Sequence, residues 1–225
     1  MDRRSNMHTL WTQHIISMLK KLTSCNRCAA LFLYYSISID NTILPALRNI
    51  SSDQSKATTN TSKQVAKLLN YLALNPQAEI QYIVSGMKLA IHSNASYLSF
   101  AQARSRASGV HFLTECSPDP ENPEDFVPTT NGILLVVCKI MRNIMVSAAE
   151  AEYGTIFVNP QTAVPNAQTA VPIRTTLSEM GRKQVHTAIQ VDNSTAVGIA
   201  TKEFCQKKSK AMDMRFYWIN DRIEK

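Results

Sequence analysis

No apolar run in this chain is long enough to cross a bilayer. The longest candidate, Ala29 to Ile39, covers eleven residues and is interrupted by Tyr34, Tyr35 and Ser36, whereas a spanning helix needs about twenty; a buried helix is the expectation. Acid is also short: 17 Asp and Glu stand against 24 Lys and Arg, a net charge of +7. A polyanion such as nucleic acid is thereby a more natural counterpart than an acidic protein. The five cysteines are an odd set with no secretory signal before them. That disfavours a disulfide framework and predicts reduced thiols in an intracellular compartment, cytoplasmic or nuclear. Cys25-Asn26-Arg27-Cys28 has the spacing of half a zinc site, but no second Cys/His pair follows at finger or ribbon spacing, so buried or idle thiols are expected. Ser93, Ser96 and Cys138 form no visible nucleophile–base arrangement, and His111 and His186 have no partner pattern; both histidines are expected to be structural or exposed.

With 225 residues, 44% of them hydrophobic and 18% charged, the chain is globular rather than disordered, with room for one or two domains. Residues 1–21 carry Arg3, Arg4, Lys20 and Lys21 around a loosely periodic apolar pattern, an N-terminal extension with helical character. Leu22 to Ile50 reads as a second helical region, the polar stretch Ser51 to Ser62 as a linker, and Thr61 to Asn75 as a helix that stops at Pro76.

Beyond Pro76 the pattern turns to sheet. Ile80–Val84 and Met87–Ile91 suit a pair of short strands around Gly86, Val110–Leu113 a second strand region and Ile133–Ile140 a third. The acidic, Pro-rich Ser117–Pro128 is a loop, and Ser147-Ala148-Ala149 opens a helix. Gln161-Thr162-Ala163-Val164-Pro165 recurs as Gln168-Thr169-Ala170-Val171-Pro172, a local tandem duplication rather than a solenoid. A helix over Thr175–Gly181 with Gly181 as its cap, a fourth strand over Ala188–Val191, a short helix over Ser194–Ala200 and a last helix over Lys207–Arg222 complete the reading. The fold class is α/β: a mixed sheet whose first three strands form a meander, then a helix, a fourth strand and flanking helices, preceded by a helical segment.

Three segments then fall in order: Ile91-His92-Ser93-Asn94-Ala95-Ser96-Tyr97, Ser147-Ala148-Ala149-Glu150-Ala151-Glu152-Tyr153 and Gln190-Val191-Asp192-Asn193-Ser194-Thr195-Ala196. The first and third end apolar strand-like runs and the second opens a helix, so one residue from each can meet at the strand ends of a sheet, where α/β proteins place ligands. Together with Ser209-Lys210-Ala211-Met212-Asp213-Met214-Arg215, they resemble the ribonuclease H domain of copia-type retrotransposon polyproteins. Leu33-Tyr34-Tyr35 and Ile39-Asp40-Asn41-Thr42-Ile43-Leu44-Pro45-Ala46-Leu47 are similar to the segment that joins reverse transcriptase to that domain. The likeness covers roughly Leu22 to the end and divides the chain at 1–21, 22–78 and 79–225.

The resemblance implies hydrolysis of RNA in an RNA–DNA hybrid by two divalent ions, Mg²⁺ or Mn²⁺, about 4 Å apart and clamped by four carboxylates. By position, Asn94 occupies the first carboxylate site, Glu152 the second and Asp192 the third, with Glu150 the competitor for the second. Asp213 is the alternative for the fourth, but the family's fourth acid follows one further strand, so the expectation is that it is absent from an incomplete C-terminus. An amide at Asn94 is neutral and turns donors toward a cation, which predicts a weakened metal site and an inactive nuclease. Lys207, Lys208, Lys210 and Arg215 at a helix start would face phosphates, or else form a solvated basic face. The expected function is thus a catalytically dead ribonuclease H-like remnant without polymerase activity. A non-catalytic binder of RNA–DNA hybrid, and a nuclease that is weakly active or completed by another chain, are the alternatives. No membrane or small-molecule cofactor is expected.

Overall fold

The computed structural model describes residues 25–115, 127–159, 170–184, 186–201 and 219. The N-terminal extension, most of the acidic loop, the first copy of the heptad duplication and the basic segment that carries Lys207, Lys208, Lys210, Asp213 and Arg215 lie outside the described residues, as do the side chains of Cys25 and Cys28. No helix among the described residues is long and apolar enough to cross a membrane. The chain divides into two units, Met1–Ile80 and Gln81–Lys225.

The first unit is helical, with α1 (Cys25–Ser38), α2 (Leu44–Ser52) and α3 (Thr59–Leu74). The single helical region read from Leu22 to Ile50 is broken after Ser38, because Asp40 turns its carboxylate onto the backbone N–H of Thr42 (3.1 Å) and Pro45 sits in the first turn of α2. Ala29, Phe32, Ile43, Leu47, Ile50, Leu68 and Leu72 make the core. The polar stretch read as a linker is instead the tight connection between α2 and α3 inside this unit. A 3-10 turn fills Gln54–Lys56, and the Thr58 and Thr61 hydroxyls then cap each other's backbone N–H groups at the start of α3.

In the second unit β1 (Lys88–Phe100), β2 (Arg104–Thr114) and β3 (Ile133–Ile140) form an antiparallel meander. After α4 (Ala148–Val158) and α5 (Ala170–Glu179), β4 (Ala188–Gln190) joins parallel to β1, and α6 (Ser194–Ala200) follows. The strand order is β3-β2-β1-β4, a mixed sheet flanked by helices. α4 covers the sheet through Ala107, Met141, Met145 and Ala151, α6 packs on α4 through Tyr153, Ile156, Ala196 and Ile199, and α5 lies on Leu89 and Ile91 through Ala170 and Leu177. Where the sequence suggested a helix from Thr175, α5 starts five residues earlier, inside the second copy of the duplication; Gly181, at φ 80°, closes it as Arg182 N–H reaches back to the Leu177 carbonyl (2.8 Å).

One expected strand is missing. Ile80–Val84 forms no ladder, because the side-chain amide of Asn131 takes both backbone groups of Ile83 (N–H to Oδ1 and Nδ2 to C=O, 2.8 Å each) and the Tyr82 hydroxyl donates to the Ile133 carbonyl. Two side chains thus hold this segment beside the start of β3, the edge strand, without extending the sheet.

Candidate functional site

β4 pairs with β1 only from Ala90 to His92, while β1 runs on to Phe100. Beyond Gln190 the parallel neighbour leaves the ladder, at the point where the strand order reverses and α/β sheets have their ligand crevice. Glu152 and Asp192 come close enough there to interact electrostatically, and Asn94 lies on the adjoining stretch of β1. The last pair of the parallel register, His92 with Gln190, stands two residues before Asn94 and Asp192. Glu152, in the second turn of α4, enters from the helical layer, and its Oε1 accepts the N–H of Ala95, the residue after Asn94, at 2.7 Å.

The local structure explains each placement. Ser147 caps α4 by accepting the Glu150 N–H at 3.1 Å, and Glu150 Oε2 returns to accept the Val146 N–H at 2.6 Å. The Ser-x-x-Glu spacing that makes this reciprocal cap is visible in the sequence. It occupies Glu150 at the helix entrance and leaves Glu152, two residues on, as the acid that reaches β1. Asp192 is exposed between β4 and α6, where Asn193 caps α6 by accepting the Ala196 N–H (3.1 Å). Asn94 is exposed on β1; its main-chain carbonyl accepts the Ser108 hydroxyl (2.8 Å), and strand alternation puts its side chain on the face opposite Ser93 and Ala95.

The electrostatics single out Glu152. It is 6% exposed, and its second oxygen, Oε2, is buried with no hydrogen-bond partner. Burial raises its proton affinity above that of an ordinary glutamate, the Ala95 N–H opposes this, and the nearby negative charge of Asp192 adds to the rise. The folded state therefore binds a proton that the unfolded chain releases, and stability falls as pH rises from the unfolded value through the higher folded one. Glu152→Gln keeps an acceptor for Ala95 and offers an amide to Asp192. The variant is expected to be about 1 kcal/mol more stable than wild type at neutral pH, with the gain shrinking on acidification; urea unfolding across pH 4–8 measures it.

Sequence reasoning missed a second polar cluster under the site. Asn159, fully buried at the end of α4, donates through Nδ2 to Ser93 Oγ (2.8 Å) and to the Ser108 carbonyl (3.2 Å), while its own carbonyl lies 3.2 Å from His111 Nε2. Burial lowers the proton affinity of His111, and hydrogen bonding to the Asn159 and Leu135 backbones opposes part of that. Gly109 makes the approach feasible: a Cβ at that position would stand 2.1 Å from Asn159 Oδ1. No motif announces this set, since its members come from β1, β2 and α4 and meet only in the fold. Among the other residues weighed from sequence, Cys138 is a buried free thiol, and Ser96 and His186 are exposed. A cleft of about 490 Å³ along α5, lined by Arg174, Thr175 and Glu179 among others, contains none of the three positions.

The carboxylates that come near each other are those of Glu152 and Asp192, while strand alternation turns the Asn94 amide to the other face of β1. Among the described residues no group of three or more His, Cys, Asp or Glu is arranged to hold a metal ion. Comparison with protein-family models, with curated proteins and with solved structures gives no match for this chain.

Proposed function

We propose that this chain is a ribonuclease H-like domain of copia-type retrotransposon ancestry, with part of the connection segment before it, whose metal site has decayed and which does not cleave RNA. The observation that carries the reading is the pairing of Glu152 with Ala95 beside Asp192, in the crevice between β1 and β4, with an amide at the neighbouring Asn94. The meander followed by a helix and a parallel fourth strand agrees with it. So does Glu152 Oε2, a buried acceptor without a partner among the described residues, since such atoms are uncommon and call for an explanation.

The chemistry explains why the site is idle. In the family a bound pair of divalent ions polarises the scissile phosphate and lowers the pKa of the attacking water. Here Asn94 contributes no charge, and burial raises the proton affinity of Glu152, so protons compete with a cation for that carboxylate. What this surface retains is hard oxygen donors at the crevice on a chain of net charge +7, which favours contact with a polyanion without chemistry.

The test is cleavage of a labelled RNA–DNA hybrid in Mg²⁺ or Mn²⁺ by folded protein, beside Asp192→Asn. No metal-dependent cleavage by either protein is expected. Wild-type cleavage that disappears in Asp192→Asn would show a working site and overturn the claim of decay. Retention of the hybrid with an affinity that falls steeply with salt would favour a non-catalytic binder.

A further inference from the structure

The acid at the crevice is carried by a helix, yet a helix does not by itself fix where its second turn meets a strand. Here the join is made at one residue, Val146, just before the α4 cap. Its N–H is taken by Glu150 Oε2 at 2.6 Å, and its carbonyl accepts the Tyr97 hydroxyl at 2.9 Å. Tyr97 stands on β1 three residues after Asn94 and two after Ala95. The same strand therefore supplies the amide that Glu152 holds and the hydroxyl that fixes the entrance to the helix carrying Glu152.

The backbone around Tyr97 is built for this. The β1–β2 register breaks between Ser96 and Phe100, and Leu98 takes φ 49°, a left-handed conformation that is costly for a leucine. The Leu98 N–H is held at 3.1 Å by the hydroxyl of Ser105, which is fully buried. An irregularity of this kind bends the strand and re-aims one side chain; in this strand, the residue before the left-handed leucine is the one whose hydroxyl meets the α4 entrance. Of the two hydrogen bonds on Val146, the one to Glu150 acts within the helix start and the one from Tyr97 reaches it from β1.

We propose that Tyr97 is a positioning residue for Glu152: its hydroxyl anchors the α4 entrance to β1 through the Val146 carbonyl and so keeps the Glu152 carboxylate on the Ala95 N–H. This rests on reading Glu152 as a site acid, but its test does not depend on cleavage.

Hydrogen exchange of single amides separates positioning from general support. Loss of the Tyr97 hydroxyl in Tyr97→Phe should speed exchange of the Ala95 amide about fivefold more than that of Ile91, a fully buried residue of the same strand. Glu150→Ala, which frees the other side of Val146, should act in the same direction. Glu152→Ala should speed Ala95 at least as much, which assigns the protection to that carboxylate. If Tyr97→Phe accelerates Ala95 and Ile91 equally, or neither, Tyr97 is a stability residue only and the proposal fails. If Glu152→Ala leaves Ala95 protected, the carboxylate is not what holds that amide, and the proposal fails at its first link. The cleavage test of the proposed function is untouched by either result.

Discussion

Gly109→Ala is expected to destabilise the second unit by about 3 kcal/mol, through a single added methyl group. That methyl would stand 2.1 Å from Asn159 Oδ1 and 2.4 Å from Asn159 Cγ, separations no relaxed structure keeps. Asn159 cannot swing away at small cost, because it is fully buried and its Nδ2 serves both Ser93 and the Ser108 carbonyl. Overpacking costs about 1–3 kcal/mol, and breaking buried hydrogen bonds adds about as much again; better intrinsic strand behaviour of alanine over glycine offsets only a fraction. Asn159→Ala alone should cost about 2 kcal/mol by orphaning Ser93 and loosening α4 from the sheet. The double variant should be clearly less damaged than the sum of the two, because the room for the new methyl has then been made. Chemical denaturation of the four proteins gives the coupling directly. Strict additivity would mean that Gly109 and Asn159 do not share that space.

Asn94→Asp is expected to tighten Mn²⁺ binding about tenfold or more without producing an active nuclease. The substitution turns a neutral amide into a carboxylate on β1, two residues past the last pair of that strand with β4. One further charge near a divalent ion is worth at least about 1.4 kcal/mol at the effective dielectric of a protein surface. A similar gain in hybrid cleavage is not expected, since a third acid still falls short of the four that clamp two ions in the family. Mn²⁺ titration followed by calorimetry or paramagnetic broadening reads the first half, and the hybrid assay reads the second. Unchanged affinity would show that position 94 does not face the ion site. Cleavage rescued by this change alone would show that a fourth acid is present after all, with Asp213 the first residue to examine.

How much of this was legible in the sequence depended on whether the signal was local. β3 and α6 are found at the residues read from sequence, and β4 ends one residue earlier, because aliphatic runs and capping residues mark them locally. The proximity of Glu152 and Asp192 was readable in outline for the same reason: each stands just beyond a recognisable cap or strand. The long β1–β2 hairpin was not. Its outer half, from Ser96 to Arg104, is exposed apart from the half-buried Phe100, and a bulge and four left-handed residues, counting Met87 before the strand, replace alternation as the organising feature. Arg104 and Arg106, read as preceding β2, are inside it. The strand expected over Ile80–Val84 failed because an apolar run cannot reveal that Asn131, from a distant part of the chain, will take its backbone groups. The choice between Glu150 and Glu152 needed the cap to be seen: one acid closes its own helix and the other reaches another element.

The proposed site is built on two acids, Glu152 from α4 and Asp192 just beyond β4, close enough to interact. Carboxyl-detected NMR titration of Glu152, in wild type and in Asp192→Asn, tests that most directly. The account predicts a Glu152 that titrates above the ordinary glutamate range in wild type and moves back toward it when the Asp192 charge is removed, with the part due to burial remaining. A Glu152 that titrates normally, or one indifferent to Asp192→Asn, would mean that the two carboxylates do not meet and that there is no site here to have decayed.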